Sequence, residues 1–532
     1  MVLKNMGMSS EEEFEDATKR QYHVKGIPEA ADLIQRTYLN IVIFGDYDCD
    51  GIISTLIMTY LCVKLKKKVT VKLPKRFSEG YGMSDKAVEA IPAHSLVITV
   101  DNGISAHEQI KALKEKNCQI IIIDHHPLNE GAFIPNADII IDPVVIPGSD
   151  FSGYCGAGLC FKLIEFIFSN KDSFFVDQMK SLAAVATIAD MMSLTFDNRK
   201  IVKEGLKLLL SNTTPGMHCL LKELDLLHPL SVHDIGFKVA PCINAPGRMI
   251  DNGAQLAFSY LYTGKTESIQ ELIRFNDSRK DTQTEILNRF SDFTPDDGVI
   301  CVYSANCHPG VVGIVAGCLA ERYQQPAIVF TNSNDGLLKG SGRTYGDFNL
   351  KEFLDQNAEL FVRYGGHKEA AAVTIKKENF ENLQTKAKEV IIKNTLQQKK
   401  YDLEIKIDDI PEVIKELEYF APYGQGNPAP VFLIKNYMLS PFSNKKNYMI
   451  LNKDGLKFRN PKLNVIGFGL SEKYFSELNA PIKLNIIGCI SKNYYKDNCS
   501  VQMVASDINK TEEESPFQSL LLAELKKISD QR

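Results

Sequence analysis

Four short runs rich in Val and Ile, at 41–44, 69–73, 96–100 and 120–123, recur early in the chain, and segments of helical periodicity at 52–66 and 105–116 lie among them. An unbroken apolar run of this length suits a strand buried on both faces, and helices placed between such strands cover those faces. The pattern predicts an α/β fold built on a parallel sheet. The residues after each run are equally informative. Run 41–44 leads into Gly45-Asp46-Tyr47-Asp48-Cys49-Asp50-Gly51, run 96–100 into Asp101-Asn102-Gly103, and run 120–123 into Asp124-His125-His126. Open parallel sheets bind ligands beyond the carboxyl ends of their strands. The fold therefore gathers Asp46, Asp48, Asp50, Asp101, Asp124, His125 and His126 at one rim.

Carboxylates packed this densely repel one another and resist ionisation unless something positive sits among them. No Lys or Arg lies within the three segments. Divalent cations are the natural counter-charge, and oxygen plus imidazole donors suit Mn²⁺ or Mg²⁺ better than a thiolate-preferring ion. Two ions roughly 4 Å apart, bridged by one aspartate, would activate a water and neutralise a phosphoryl oxygen. A lone Asp after a strand is ordinarily a helix N-cap, and Asp124 by itself could serve only to orient a neighbouring histidine ring. Three such segments on successive runs, one of them alternating Asp-x-Asp-x-Asp, exceed what capping requires.

At roughly 150 residues per domain, 532 residues predict three or four domains. The texture divides as an N-terminal helical extension (1–36), a first α/β lobe (37–250), a connecting helical region (251–293), a second α/β lobe (294–400), an all-β module (401–510) and a helical tail (511–532). In the extension, Pro28 marks a helix start with an apolar face at Ala31, Ile34 and Tyr38. The stretch 252–290 reads as one long helical arm, 379–398 as a helix ending at Lys399-Lys400, and Ser515-Pro516 as the start of the tail helix. No run approaches the 18 apolar residues of a membrane span, and the acidic start of the chain is unlike a signal peptide. Twelve scattered cysteines without Cys-x-x-Cys spacing read as reduced thiols, which points to the cytoplasm.

The rim motifs resemble, in order, those of the DHH phosphoesterase superfamily: Asp48-Cys49-Asp50-Gly51, Asp101-Asn102-Gly103, Asp124-His125-His126 and Ala189-Asp190. Asn244-Ala245-Pro246-Gly247-Arg248, the segment beginning His308-Pro309-Gly310, Ser341-Gly342-Arg343, Gly365-Gly366-His367 and Pro422-Tyr423-Gly424-Gln425-Gly426-Asn427-Pro428 resemble its RecJ branch. The resemblance spans about 25–510. It implies a parallel-sheet DHH catalytic lobe, a second α/β DHH-associated lobe joined by a long helix, and a C-terminal OB-like β-barrel. The implied activity is a 5′-to-3′ exonuclease for single-stranded DNA using two Mn²⁺ or Mg²⁺ ions. Carried over by position, Asp48 and Asp101 would hold one ion, and Asp50, Asp101, His125 and Asp190 the other, with Asp101 bridging. Asp101, Asp124 and His126 would form the catalytic group, His126 touching the scissile phosphate or acting beside it. Relatives often place a histidine where Phe44 stands, so either Asp46 would complete the first ion's shell or that ion would bind weakly. Cys307 and Ser193 also depart from the Trp and Pro usual there.

A 5′ end is best gripped by Arg forks and hydroxyls. By similarity Arg76, Ser341 and Arg343, the latter two in a glycine-rich turn, would bind the terminal phosphate. His308 opens a helix whose first N–H groups would face a phosphate. Arg248 would line the passage between lobes, while Gly366 allows close backbone approach beside His367. In 431–470, Lys435, Lys445, Lys446, Lys453, Lys457, Arg459 and Lys462 stand against Asp454 alone, with Tyr437, Phe442, Tyr448, Phe458 and Phe468 interleaved. Basic residues among aromatics suit single-strand binding, bases stacking on rings while Lys tracks phosphates. Expected partners are 5′-phosphorylated single-stranded DNA and a helicase or single-strand-binding protein, with no membrane. Two other readings compete: a phosphodiesterase for short oligonucleotides or cyclic dinucleotides, and a non-catalytic replication or repair scaffold that has lost metal ligands.

Overall fold

The structure is a computed structural model that describes residue 2 and residues 8–80, 82–128, 131–333, 336–391, 401–438, 448–451, 455–458, 462–468, 483–495 and 498–510. The expected tail helix and Lys399-Lys400 lie outside them. Two compact units emerge, residues 15–395 and residues 1–14 with 396–532.

The larger unit begins with helix α1 (Ile27–Arg36) and a sheet of five strands, β1 (Ile41–Phe44), β2 (Val69–Lys72), β3 (Leu96–Val100), β4 (Gln119–Ile123) and β5 (Ile139–Ile141). They pair in the order β2-β1-β3-β4-β5, every pair parallel. The first crossover goes one way from β1 and the next returns to its other side, which opens a crevice between the carboxyl ends of β1 and β3. One face of the sheet, with Ile41, Ile43, Ile98 and Ile121, packs on helices α2 (Cys49–Lys64), α4 (Gly156–Phe168) and α5 (Ser173–Ala189). The other face, with Val42, Phe44, Val97, Ile120 and Ile122, is closed by α3 (His107–Glu115) through Ile110 and Leu113. Phe44 is thus core, turned into the apolar cluster. Tyr38, expected on the face of α1, lies beyond its end at Arg36 and is fully exposed, while Ile27, Ala30, Ala31 and Ile34 make the buried face.

After α5 come α6 (Phe196–Ser211), α7 (Ala240–Met249), α8 (Gly253–Thr263) and α9 (Thr266–Asn288). The arm predicted as one helix over 252–290 is therefore two, divided where Gly264 adopts φ +64° and caps α8. A second sheet follows: β6 (Ile300–Tyr303), helix α10 (Val312–Tyr323), β7 (Ala327–Asn332), β8 (Leu338–Arg343), β9 (Phe361–Gly366) and β10 (Ala370–Ile375), in the order β6-β7-β8-β10-β9. Only β6 and β7 are parallel; the other pairs are antiparallel. Ser341-Gly342-Arg343, expected in a turn, is the end of β8, hydrogen-bonded to β7 on one side and β10 on the other. Helix α11 (Phe380–Lys388) covers β6, and 392–398 of the helix expected there lie outside the described residues.

The smaller unit contains β11 (Leu403–Glu404), α12 (Ile410–Phe420), β12 (Phe432–Met438), β13 (Tyr448–Leu451), β14 (Gly455–Phe458), β15 (Asn464–Phe468), β16 (Lys483–Tyr495) and β17 (Asn498–Lys510). These strands form one sheet in the order β11-β12-β16-β17-β15-β14-β13 over a core of Ile405, Phe432, Ile434, Tyr437, Val465, Ile486 and Met503. Among the described residues no helix is long and apolar enough to cross a membrane.

One buried charge cluster stands apart within the first lobe. Lys162 of α4 reaches Asp197 at the start of α6 (3.0 Å) and Glu165 (2.5 Å), with side-chain exposures of 9% for Lys162 and 5% for Asp197. The hydroxyl of Tyr154 donates to the same Asp197 oxygen. Removing one partner of such a pair strands the other in a low-dielectric interior. Lys162→Met is expected to lower unfolding free energy by about 3 kcal/mol in a denaturant titration, whereas a loss below about 0.5 kcal/mol would mean the pair behaves as a surface one.

Candidate metal centre

Asp46, Asp48, Asp101 and Asp124 lie on loops leaving β1, β3 and β4, Asp50 stands in the first turn of α2, and Asp190 caps the C-terminus of α5. Three groups of side chains have ligand atoms within 4.8 Å of one another: Asp46, Asp48 and Asp101; Asp50, His125 and Asp190; and Asp101, His125 and His126. Asp101 thus links the first group to the histidines. His125 Nε2 lies 3.1 Å from Asp101 Oδ1 and 3.7 Å from both Asp50 Oδ2 and Asp190 Oδ2.

The local chemistry explains how these carboxylates are held so close. Asp48 is the N-cap of α2, accepting from Gly51 N at 3.1 Å, so the capping role and the rim position coexist in one residue. Asp50, in the first turn of α2, turns its two oxygens to the amide N–H groups of Gly156 (2.7 Å) and Ala157 (2.9 Å) at the start of α4. Those N–H groups have no partner within their own helix, and the positive end of the helix dipole favours the carboxylate. Asp101 adopts a left-handed φ of +61°, a conformation that costs a non-glycine residue energy and tends to persist only where the surroundings enforce it. Gly156 contributes to that: a Cβ there would lie 2.8 Å from the Cβ of Asp101.

The electrostatics are dominated by repulsion. Burial and the neighbouring Asp48 push the Asp46 carboxyl far above its ordinary range, and burial with Asp50, Asp48, Asp46 and Asp190 does the same to Asp101. Burial and Asp50 raise Asp48, and burial with Asp50 and Asp48 lifts Asp190 to about 8. Asp46 Oδ1 is buried without a hydrogen-bond partner among the described residues. An orphaned carboxylate oxygen amid other carboxylates and an imidazole is a donor set that fits a hard divalent cation. Cys49 and Cys155 adjoin the rim, but burial raises both thiols well above their usual range, so thiolate ligation is disfavoured.

Asp124 sits behind the ligand groups. It is 1% exposed and outside all three groups. Oδ1 accepts from His126 Nδ1 (2.7 Å) and His125 N, and Oδ2 from Ile104 N. Although burial opposes its charge, the His126 bond holds its carboxyl below the ordinary range; the same bond raises His126 to about 9 against the effect of burial. Asp124 orients His126 by engaging one ring nitrogen.

A cationic group faces this acidic one. Arg76 stacks on the Tyr47 ring at 4.6 Å, and its charge acts on Asp46 and Asp48. Arg248, at the end of α7, is lowered to about 10 by burial and by Arg76, Arg279 and Arg343 nearby. Arg343 bonds Ser341 Oγ at 3.1 Å, and the two side chains lie against Gly313 in the first turn of α10. Arg279 of α9 was not singled out from the sequence. Its guanidinium is braced by the amide oxygens of Asn276 and Gln283, both neutral. The only available signal was an arginine in a mixed-charge helix, indistinguishable from solvated surface. Arg76, Arg248, Arg279 and Arg343 form no ion pair among the described residues.

At His308, Nδ1 accepts from Gly310 N and the carbonyl from Val311 N just ahead of α10, while the ring packs edge-on against Phe77. This turn joins the lobes, because Gly310 approaches Arg248 so closely that a Cβ would fall 1.7 Å from its carbonyl oxygen. Gly366 and His367 are exposed at the end of edge strand β9, and no hydrogen bond or ion pair ties them to the acidic groups among the described residues.

In the β-module the charge count from 431–470 omitted partners outside that window. Lys435 pairs with Glu404 (2.7 Å) and Lys462 with Asp408. Tyr437 is core, its hydroxyl donating to Leu463 O, whereas Phe468 is 66% exposed. Phe442, Lys445, Lys446, Lys453, Asp454 and Arg459 lie outside the described residues.

With this geometry in place, family comparison is decisive. The DHH family N-terminal domain matches residues 40–193, the DHHA1 domain 296–393 and the RecJ OB domain 401–507. In these three domains and their order the chain is similar to the RecJ branch of the DHH family. It is 32% identical to the Bacillus subtilis single-stranded-DNA-specific exonuclease RecJ over 91% of this chain, and it spans 64% of that relative's length. The structure superposes on Thermus thermophilus RecJ solved in complex with Mn²⁺ at a TM-score of 0.77 and 26% identity, covering 96% of this chain and 76% of that one. For the Mg²⁺ complex of the same protein the TM-score is 0.71 at 25% identity, with 96% and 74% covered.

If repulsion among these carboxylates governs the metal-free protein, Asp101→Asn will raise its melting temperature in chelator and reduce the gain on adding Mn²⁺. A thermal melt with and without Mn²⁺ checks both signs; a variant destabilised in chelator would contradict the electrostatic account.

Proposed function

We propose that the protein is a metal-dependent exonuclease that hydrolyses phosphodiester bonds of single-stranded DNA from the 5′ end in the cytoplasm, where its twelve thiols stay free. The observation that carries this reading is the two acidic groups on the switch-point rim, Asp46–Asp48–Asp101 and Asp50–His125–Asp190, joined through the Asp101–His125 contact (3.1 Å). Asp46, Asp48 and Asp101 would hold one Mn²⁺ or Mg²⁺, and Asp50, His125 and Asp190, with Asp101 shared, the other. When bound, such ions supply Lewis acidity to water and to the phosphoryl group.

The chain's own residues supply binding and orientation. Asp124 fixes the His126 ring, which stands with Asp101 and His125 and would meet a phosphate oxygen beside the scissile bond. Arg343 and Ser341, held rigidly in β8, offer a fork and a hydroxyl to a terminal phosphate, and Arg76 adds charge from the first lobe. Half-buried guanidinium groups without carboxylate partners among the described residues call for an anion, and a sugar–phosphate backbone crossing Arg76, Arg248, Arg279 and Arg343 would satisfy them together. Specificity for the single strand rather than for base sequence fits contacts made to phosphates. The β-module, with an exposed Phe468, suits a surface on which bases stack. The retained ligand set argues against a non-catalytic scaffold, and the end-binding arginines and β-module against a dinucleotide substrate.

Digestion of single strands labelled at either end tests the reading. Mn²⁺ or Mg²⁺ should release label from the 5′ end first, chelator should stop it, and duplex should survive; release from the 3′ end first would sink the polarity. Arg343→Ala should slow hydrolysis of 5′-phosphorylated strands at least about tenfold, the worth of one charge-assisted hydrogen bond. It should scarcely change 5′-hydroxyl strands, and equal losses on both would remove Arg343 from end recognition.

A further inference from the structure

Two of the residues assigned to the second ion, Asp50 and Asp190, are set by segments outside the sheet. The start of α4, following Gly153-Tyr154-Cys155, fixes Asp50 through the Gly156 and Ala157 amides. Asp190 begins the short strap between α5 and α6, with a side chain 32% exposed. Asp50 and Asp190 repel one another, and Asp190 also sits at the negative end of α5, which adds to its cost.

Besides the Cys155 Sγ–Thr187 Oγ1 contact (3.7 Å) between the start of α4 and α5, one dipeptide ties the Gly153 segment to the strap itself. Asn198 Nδ2 donates both to Gly153 O (2.5 Å) and to Ser193 O (3.1 Å), bridging one segment to the other. Its neighbour Asp197 accepts from the hydroxyl of Tyr154 (2.5 Å) and is neutralised by Lys162. Tyr154 and Asn198 are 0% exposed. Asn198 Oδ1 is buried with no partner among the described residues. An amide needed only for stability would rarely leave an acceptor orphaned; here both N–H groups are committed to the two ligand-bearing segments.

We propose that Asp197-Asn198 is a positioning clamp that sets the spacing of Asp50 and Asp190 and so tunes the affinity of the Asp50–His125–Asp190 group for its divalent cation. The proposal rests on the reading that this group holds a cation. Neither residue touches the ion or substrate; each acts through backbone or through Tyr154. Supports of this kind, one shell behind the ligands, typically change metal affinity 10- to 100-fold.

Isothermal titration of the full-length protein with Mn²⁺ tests it, comparing wild type, Asn198→Ala, Tyr154→Phe and Lys180→Gln. Tyr154→Phe removes one hydroxyl and keeps the ring, so it guards against a failure to fold. Lys180→Gln cuts a different tie between α5 and α6, the ion pair to Glu204, remote in sequence from the strap. Asn198→Ala is expected to weaken one of two Mn²⁺ ions about tenfold or more and leave the other, with single-strand binding unchanged. Tyr154→Phe should act in the same direction, more weakly, and Lys180→Gln should match wild type. Wild-type affinity for both ions in Asn198→Ala and Tyr154→Phe overturns the clamp alone. An equal loss in Lys180→Gln also overturns it, by reducing the effect to helix loosening. Wild type that binds no Mn²⁺ overturns the functional reading, and the clamp with it.

Discussion

Like charge crowded at one buried rim is the constraint around which the first lobe is built. Asp46, Asp48, Asp50, Asp101 and Asp190 converge with no lysine or arginine inside their groups. The fold meets part of that cost with neutral donors. α4 turns its first amides to Asp50, Gly51 N serves Asp48, and Ile104 N and two histidine groups serve Asp124. What these donors leave unmet, above all the Asp46 oxygen without a partner, is the demand a cation fills. Stability and site are therefore in tension at the same atoms, a common condition of functional sites.

The second lobe contributes in the opposite sign. Arg343 and Ser341 stand on a strand paired on both sides, and Gly310 closes on the backbone of Arg248. An arginine fork on a central strand moves less than one on a loop, so the distance between cationic and acidic groups is set by sheet pairing and by the lobe contact at His308. Among the described residues the arginines are not neutralised by carboxylates of their own, which keeps their charge directed at whatever enters between the lobes.

Much of this was legible in the sequence because burial on two faces leaves a strong mark. The runs at 41–44 and 96–100 became β1 and β3 with the same ends, and the aspartates after them fell at the rim as parallel-sheet topology requires. Legibility failed where the determinant was spatial. Ser341-Gly342-Arg343 carries turn-like residues, yet pairing to β7 and β10 overrode local preference. β5 is only Ile139–Ile141, short enough to merge with its loop. Tyr38 fits a helical spacing but lies past the last turn. The charge count over 431–470 omitted Glu404 and Asp408, distant in sequence and adjacent in space. Arg279 and Asn198 had no motif at all; their meaning comes entirely from what surrounds them.

The contact between Gly156 and Asp101 has a consequence for how such a protein can change. A methyl group at position 156 would press on the Cβ of Asp101 at 2.8 Å and on Asp50 Oδ2 at 3.1 Å, reaching two carboxylates at once. A residue with no side chain, and no chemistry of its own, thereby acts as a gauge block between two ligand-bearing loops. Variation there would register as loss of cation binding with every donor atom still present, and drift at 156 and 101 can proceed only in concert.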